Sequence, residues 1–184
     1  MTSPQSTGAA APALQALRDG KLAGSWTLDA ARSQIGLRSK SMWGLAKVNG
    51  VFREVSGEGA VSAAGDVTGT ITVAAASVDT KNGKRDTHLR SADFFEVDKH
   101  PDITVAIQSV KPAGEGVTVA GTLTARGQSR PISFPATVSG FDGDELSLDG
   151  ETQVNRAEFG MTWNQLGMAS MDNTITMHLV FARK

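Results

Sequence analysis

The chain contains no cysteine. That excludes a disulfide framework, a thiolate nucleophile and a cysteine-based zinc site, and it leaves the redox compartment open. Neither sign of charge prevails: 18 basic residues stand against 19 acidic ones, a formal net charge of −1. Such a balance offers no global attraction to nucleic acid or to an anionic membrane. Long apolar runs are missing as well. No stretch of about 18 consecutive apolar residues occurs, so nothing reads as a membrane-spanning helix. The start of the chain has neither a basic leader nor a continuous apolar segment, because Gln15 and Arg18 interrupt the only candidate. This reads as the absence of a secretory signal and predicts a cytoplasmic protein.

What is present is a period of two. Ile103, Val105 and Ile107 alternate with Thr104, Ala106 and Gln108. The same pattern runs through Val117–Thr124, Ile132–Ser139, Leu146–Val154 and Thr174–Phe181, and less cleanly through 26–28, 34–40, 44–52, 55–62 and 67–78. Alternation of this kind marks strands with one buried and one solvated face. Gly65-Asp66, Gly114-Glu115-Gly116, Arg126-Gly127 and Asp142-Gly143 supply turns between them. The expected fold is all-β, with roughly eight to ten short antiparallel strands in a sandwich or a barrel. A barrel is preferred, because few strands carry the internal Lys or Pro that protects an open edge. Pro135 is the exception, suited to an outward, weakly paired position.

The chain divides at about residue 24. Residues 1–23 read as a disordered tail containing one short helix over Pro12–Asp19, with Pro12 in its first turn and Gly20 just past its end. Leu14 and Leu17 are spaced to dock that helix. Residues 24–184 form the barrel domain. One segment inside it, Asp79–His100, lacks alternation. It is expected to hold a turn or two of helix at 83–90 and a short turn at 91–96, lying across one mouth of the barrel.

That segment also carries a resemblance. TKNGKRDTHLRSADFFEVDKHP (80–101), with GSWTLD (24–29), GTLTARGQSRPISF (121–134) and VNRAEFGM (154–161), resembles the motifs of the YceI-like family. The resemblance implies an eight-stranded, lipocalin-like antiparallel barrel that binds polyisoprenoids. This chain departs from the family pattern at Arg32 and Ser41, where relatives usually have His, and at His100, where they usually have Tyr.

Two readings of the inner face follow. Small barrels can be packed solid, and periodicity alone favours a filled core. Inward small residues (Ala75, Gly121, Ala125, Ala136 and Gly150) leave room, and with the resemblance the reading becomes a lipid cavity. Its wall is expected to comprise Ile35 and Leu37, then Ile71 and Val73, then Ile103, Val105 and Ile107, and finally Leu123 and Phe134. Leu89, Phe94 and Phe95 are expected at the lip, as an apolar rim or a plug. Trp163 and Met168 belong to a Met-rich last loop that reads as an adaptable gate or as core.

Lys84, Arg85 and His88 are the expected headgroup or mouth residues. Arg85 has a structural alternative, an ion pair with Asp86, Asp93 or Glu96. The resulting function is a non-enzymatic carrier of an isoprenoid lipid, either a polyprenyl phosphate or a quinone-like molecule, with no cofactor and no nucleic-acid partner. Two alternatives remain, an enzyme using His88 with Asp86 and an interaction module with a filled core. No catalytic motif supports the first. A metal site from His88, His100 and the acids Asp93, Glu96, Asp98 and Asp102 lacks recognised ligand spacing. Oligomeric state is left open, a homodimer included.

Overall fold

The computed structural model describes residues 7–184. The alternating segments pair as antiparallel neighbours into a closed eight-stranded barrel. Eleven strands build its eight staves, because three staves are broken in two. β1 (Gly24–Leu28) and β2 (Gln34–Ser41) make the first, β3 (Ala46–Phe52) and β4 (Val55–Val61) the second, and β5 (Val67–Ala74) and β6 (Val78–Asp79) the third. These are the segments whose alternation was least clean. The five with clean alternation are unbroken: β7 (Asp102–Ala113), β8 (Gly116–Ala125), β9 (Gln128–Phe141), β10 (Glu145–Asn155) and β11 (Asp172–Arg183).

Local hydrogen bonds fix the breaks. Asp29 accepts from the backbone of Ala31 and Arg32 and from the Arg32 guanidinium, turning the chain out of β1. Ser77 joins the other two breaks. Its hydroxyl donates to the Ala74 carbonyl and accepts from the Glu54 amide, while the Arg53 amide donates to the Ser77 carbonyl.

The two ends of the barrel therefore differ. At the lower end the ladder runs β1–β4–β5–β7–β8–β9–β10–β11 and returns to β1. At the upper end β11 pairs instead with β2, followed by β3 and β6, and the ladder stops. β6 has no strand on its outer side. The β9–β10 ladder also ends early, at Ala136–Gly150, one residue before Pro135, which has no amide hydrogen to extend it. Pro135 is exposed, as expected.

α1 (Thr7–Arg18) closes the lower end. It begins five residues before the expected start, so residues 7–11 are helix rather than tail and Pro12 lies inside it. Alanine-rich sequence suits a tail by composition and a helix by propensity. Here packing decides: Ala10, Ala13, Leu14, Ala16 and Leu17 are all buried. Leu14 joins a cluster with Val117, Val119, Phe134 and Ala136, and Leu17 one with Leu22 and Trp26. Gly20 ends the helix at φ +70°, and a Cβ there would lie 2.8 Å from the Ala63 carbonyl oxygen. The disorder expected for residues 1–6 falls outside the described residues. No helix among the described residues is long and apolar enough to cross a membrane.

Candidate functional site

Above the helical floor the barrel is hollow. The cavity measures about 550 Å³, within the range of pockets that enclose small ligands. The inward side chains of the lower half, such as Val117, Val119, Val138 and Leu179, are fully buried. Those of the upper half, including Leu37, Ile103, Val105, Ile107 and Leu123, point inward yet remain only half-buried. The interior thus widens from the lower half to the upper along one set of strands. A core filled throughout is not what the chain builds.

The structure brings nearly all the expected wall residues together. Ile71, Val105 and Leu123 stand side by side in ladder register across β5, β7 and β8, and Val73 stands beside Ile103 one step higher. Ile35, Leu37, Ile107 and Phe134 complete the expected apolar wall, and Val154 and Ile175 add to it. A second, smaller apolar space of about 130 Å³ lies below and shares Ile71, Ile107, Phe134 and Met177 with the first. Its floor is Ala13, Leu14 and Leu17 of α1.

Two of the small residues do not leave room for a ligand. A Cβ on Gly121 would collide with the Ala106 carbonyl oxygen, so this glycine admits the neighbouring β7 backbone at a bulge. Ala75 is fully buried in the 3-10 turn after β5 and borders neither space.

α2 (Gly83–Arg90) and the turn after it form the upper rim. Asn82 caps the helix by accepting from the Arg85 amide. Arg85 borders the cavity, but it pairs with no carboxylate. It donates from Nε to Thr80 Oγ1 and from Nη2 to the Thr80 carbonyl. Asp86, fully buried, accepts from the amide and hydroxyl of the same Thr80. The ion pair expected for Arg85 is therefore replaced by hydrogen bonds to a strand end. Arg90 donates to the carbonyls of Ala76 and Val78. Carbonyls 76, 78 and 80 are alternate acceptors on the free edge of β6, and two guanidinium groups stand in for the missing strand.

His88 is within hydrogen-bond distance of Asp93, Nε2 to Oδ2 2.8 Å, not of Asp86. The imagined His88–Asp86 pair is thus divided between different partners. His88 packs edge-on against Phe94 and Trp163, with centroids 5.0 and 4.4 Å apart. The adjacent phenylalanines diverge, Phe94 towards Phe159 and Met161, and Phe95 towards Phe52. Both border the cavity, as do Leu89 and Trp163. Met168 does not. It ends a 3-10 turn that folds outside the rim, where its carbonyl accepts from the Trp43 amide. Lys84 is exposed at the mouth.

Arg156 is a cavity residue that sequence reasoning missed. It is buried with no carboxylate beside it, and burial lowers its pKa. Its guanidinium donates to the carbonyls of Met161, Trp163 and Ser170 at 2.7, 2.8 and 3.0 Å and lies over the Phe94 ring. One side chain thereby shapes the whole last loop. The signal available was an arginine placed directly after an alternating strand, inside VNRAEFGM. On the other side of the rim, Glu96 is held below the usual carboxylate range by hydrogen bonding to Lys99, with Arg126 and His100 close by. No group of three or more His, Cys, Asp or Glu gathers among the described residues in a way that could hold a metal.

Known proteins share this arrangement. The YceI-like domain profile matches residues 26–181. A UPF0312 protein of Ectopseudomonas mendocina is 34% identical over 135 residues, covering 69% of this chain and 70% of the relative. Another UPF0312 protein, from Serratia proteamaculans, is 36% identical over 107 residues, and the match spans just over half of each chain, 55%. Among solved structures, Burkholderia cenocepacia BcnA superposes with a TM-score of 0.75 at 24% identity, covering 83% of this chain and 98% of that one. A polyisoprenoid binding domain from Saccharophagus degradans, implicated in plant cell wall breakdown, gives 0.70 at 18% identity, covering 86% and 98%. The extent of the profile match, together with the eight-stranded barrel, settles the assignment: this chain belongs to the YceI-like domain family.

Proposed function

We propose that this protein binds and carries an isoprenoid lipid, with the chain in the barrel cavity and the headgroup at the α2 mouth. The observation that carries the reading is the apolar, half-open cavity of about 550 Å³ beneath a rim bearing Lys84. Each methylene of a chain taken from water into such a wall contributes about 0.8 kcal/mol. A long chain therefore binds tightly without specific contacts. The polyisoprenoid-binding neighbour of the same fold supports this cargo class. Arg85 is already engaged by Thr80, so a phosphate headgroup would rely on Lys84 and on Lys40, which also borders the cavity. A quinone head would need neither.

This is a binding role rather than catalysis. His88 orients a rim of aromatic rings and shares a hydrogen bond with Asp93, and among the described residues no hydroxyl is hydrogen-bonded to its ring. The test is organic extraction of the purified protein followed by mass spectrometry. An isoprenoid recovered in near-stoichiometric amount is the expected result. Protein that yields no lipid, and that binds neither polyprenyl phosphate nor quinone when these are added, overturns the proposal. Cell fractionation checks the cytoplasmic location expected from the sequence.

A further inference from the structure

The large apolar side chains left well exposed among the described residues are not scattered. Met42, Trp43, Leu45, Trp163 and Leu166 are 53, 68, 85, 37 and 77% exposed. All five lie on two loops at the upper end, the β2–β3 hairpin tip and the loop before β11. These loops are joined by backbone hydrogen bonds from Trp43 to Met168 and from Ser170 to Lys40. Single exposed apolar residues need no explanation, but a contiguous group marks an interaction surface. The backbone strengthens the point. Met42, Trp43 and Leu166 sit at φ 51, 55 and 54°, a left-handed region that favours Gly or Asn and disfavours bulky side chains. Bulky apolar residues occupy the loop tips despite that cost.

Basic charge predominates beside the patch, where three lysines stand against one exposed acid, Asp172 at the start of β11. Lys40 and Lys47 face each other across the hairpin, and Lys84 stands at the mouth. None has a carboxylate within ion-pair distance among the described residues. At the same end Glu151 is tied to Arg38 and Asp93 to His88. Tryptophan rings suit the headgroup level of a bilayer, and each Lys near an anionic surface adds to the attraction. The patch is also continuous with the cavity, because Trp163 and Lys40 belong to both.

We propose that the hairpin tip and the last loop dock this protein on an anionic phospholipid bilayer, holding the cavity mouth against the membrane surface. The proposal rests on the lipid-carrier reading for its purpose, but its test does not. Purified protein is sedimented with vesicles of phosphatidylcholine alone and of phosphatidylcholine mixed with phosphatidylglycerol. The wild type is expected to bind the mixed vesicles, to release them as salt rises, and to bind neutral vesicles weakly. The triple variant Trp43→Ser, Leu45→Ser, Leu166→Ser should lose at least about tenfold in partitioning while keeping its circular dichroism spectrum. Lys40→Gln with Lys47→Gln should lose binding to the anionic vesicles chiefly.

A wild type that binds neither vesicle, or a triple variant that binds like the wild type, overturns the proposal. So does a concentration-dependent dimer that the triple variant abolishes, which would make the patch a contact between two copies. Vesicle binding by protein that yields no extractable lipid and takes up neither polyprenyl phosphate nor quinone would sink the carrier reading and leave the docking intact. Lipid recovered from protein that ignores vesicles would do the reverse.

Discussion

Arg85 and Thr80 hold each other at two points, guanidinium Nε to hydroxyl at 2.8 Å and Nη2 to carbonyl at 2.9 Å. With Arg90 on Ala76 and Val78, this bond sews α2 to an edge where no strand follows. Removing either arginine leaves one part-buried carbonyl, that of Thr80 or of Val78, without its donor, at about 1–3 kcal/mol. We expect Arg85→Ala and Arg90→Ala each to lower unfolding free energy by about 1–3 kcal/mol. Lys should rescue little, because one ammonium lacks the fork that reaches two acceptors. Chemical denaturation measures the loss. A phosphate-selective defect in Arg85→Ala at unchanged stability would show that Arg85 serves the ligand instead.

His88 and Trp163 meet across the mouth from α2 and the last loop. An edge-to-face pair of this kind is worth about 0.5–1.5 kcal/mol beyond its buried area. Breaking it should loosen the rim before it unfolds the barrel. Trp163→Ala and His88→Ala are expected to speed release of a bound fluorescent fatty-acid or polyene probe by about three- to tenfold. The double variant should be no faster than the faster single one. Additive effects of the two changes would show that the rings do not act as one clasp.

α1 gives the clearest correction to the reading of residues 1–23 as a disordered tail with a short helix only from Pro12. Leu14 and Leu17 are 7 and 8% exposed and floor the lower apolar space. Leu-to-Ala changes at such sites cost about 2–5 kcal/mol. Deletion of residues 1–20 should therefore lower the melting temperature substantially, and Leu14→Ala with Leu17→Ala should account for most of the loss. A truncated protein that melts like the full chain would show that the floor is not needed.

Val105 stands between Ile71 and Leu123 on the cavity wall. A tryptophan there enters open space, whereas overpacking a filled core costs about 1–3 kcal/mol. Val105→Trp is expected to stay folded with little change in stability and to lose isoprenoid binding by at least about tenfold. Measured on one preparation, the two numbers separate a cavity from a core. Strong destabilisation with unaltered lipid content would place the ligand elsewhere.

Much of this was legible in the residue pattern. Alternation in Ile103–Ile107, Ile132–Ser139 and Thr174–Phe181 identified strands and inward faces, and its loss over Asp79–His100 marked the segment that holds α2. Alternation reports which way a side chain points, but not how far away the opposite wall stands. Hollow and packed halves of one strand therefore read alike. The partners of Arg85, Arg90 and Arg156 were hidden for another reason. All but the Thr80 hydroxyl are backbone carbonyls, which every residue possesses, so no residue type advertises them. Gly121 misled because a glycine that admits a neighbouring backbone looks the same in sequence as one that leaves a void.

The contrast between the two ends of the barrel has a consequence for how such a protein can diverge. The lower ring is continuous and closely lined, and it is where a substitution is felt by the whole fold. The upper end has a ladder that stops at β6 and another that stops before Pro135, with α2 and the last loop fastened over it largely by side chains. Changes there can reshape what enters without touching the hydrogen bonds that close the ring. A lineage built on this plan can exchange one guest for another while its scaffold goes on melting at much the same temperature.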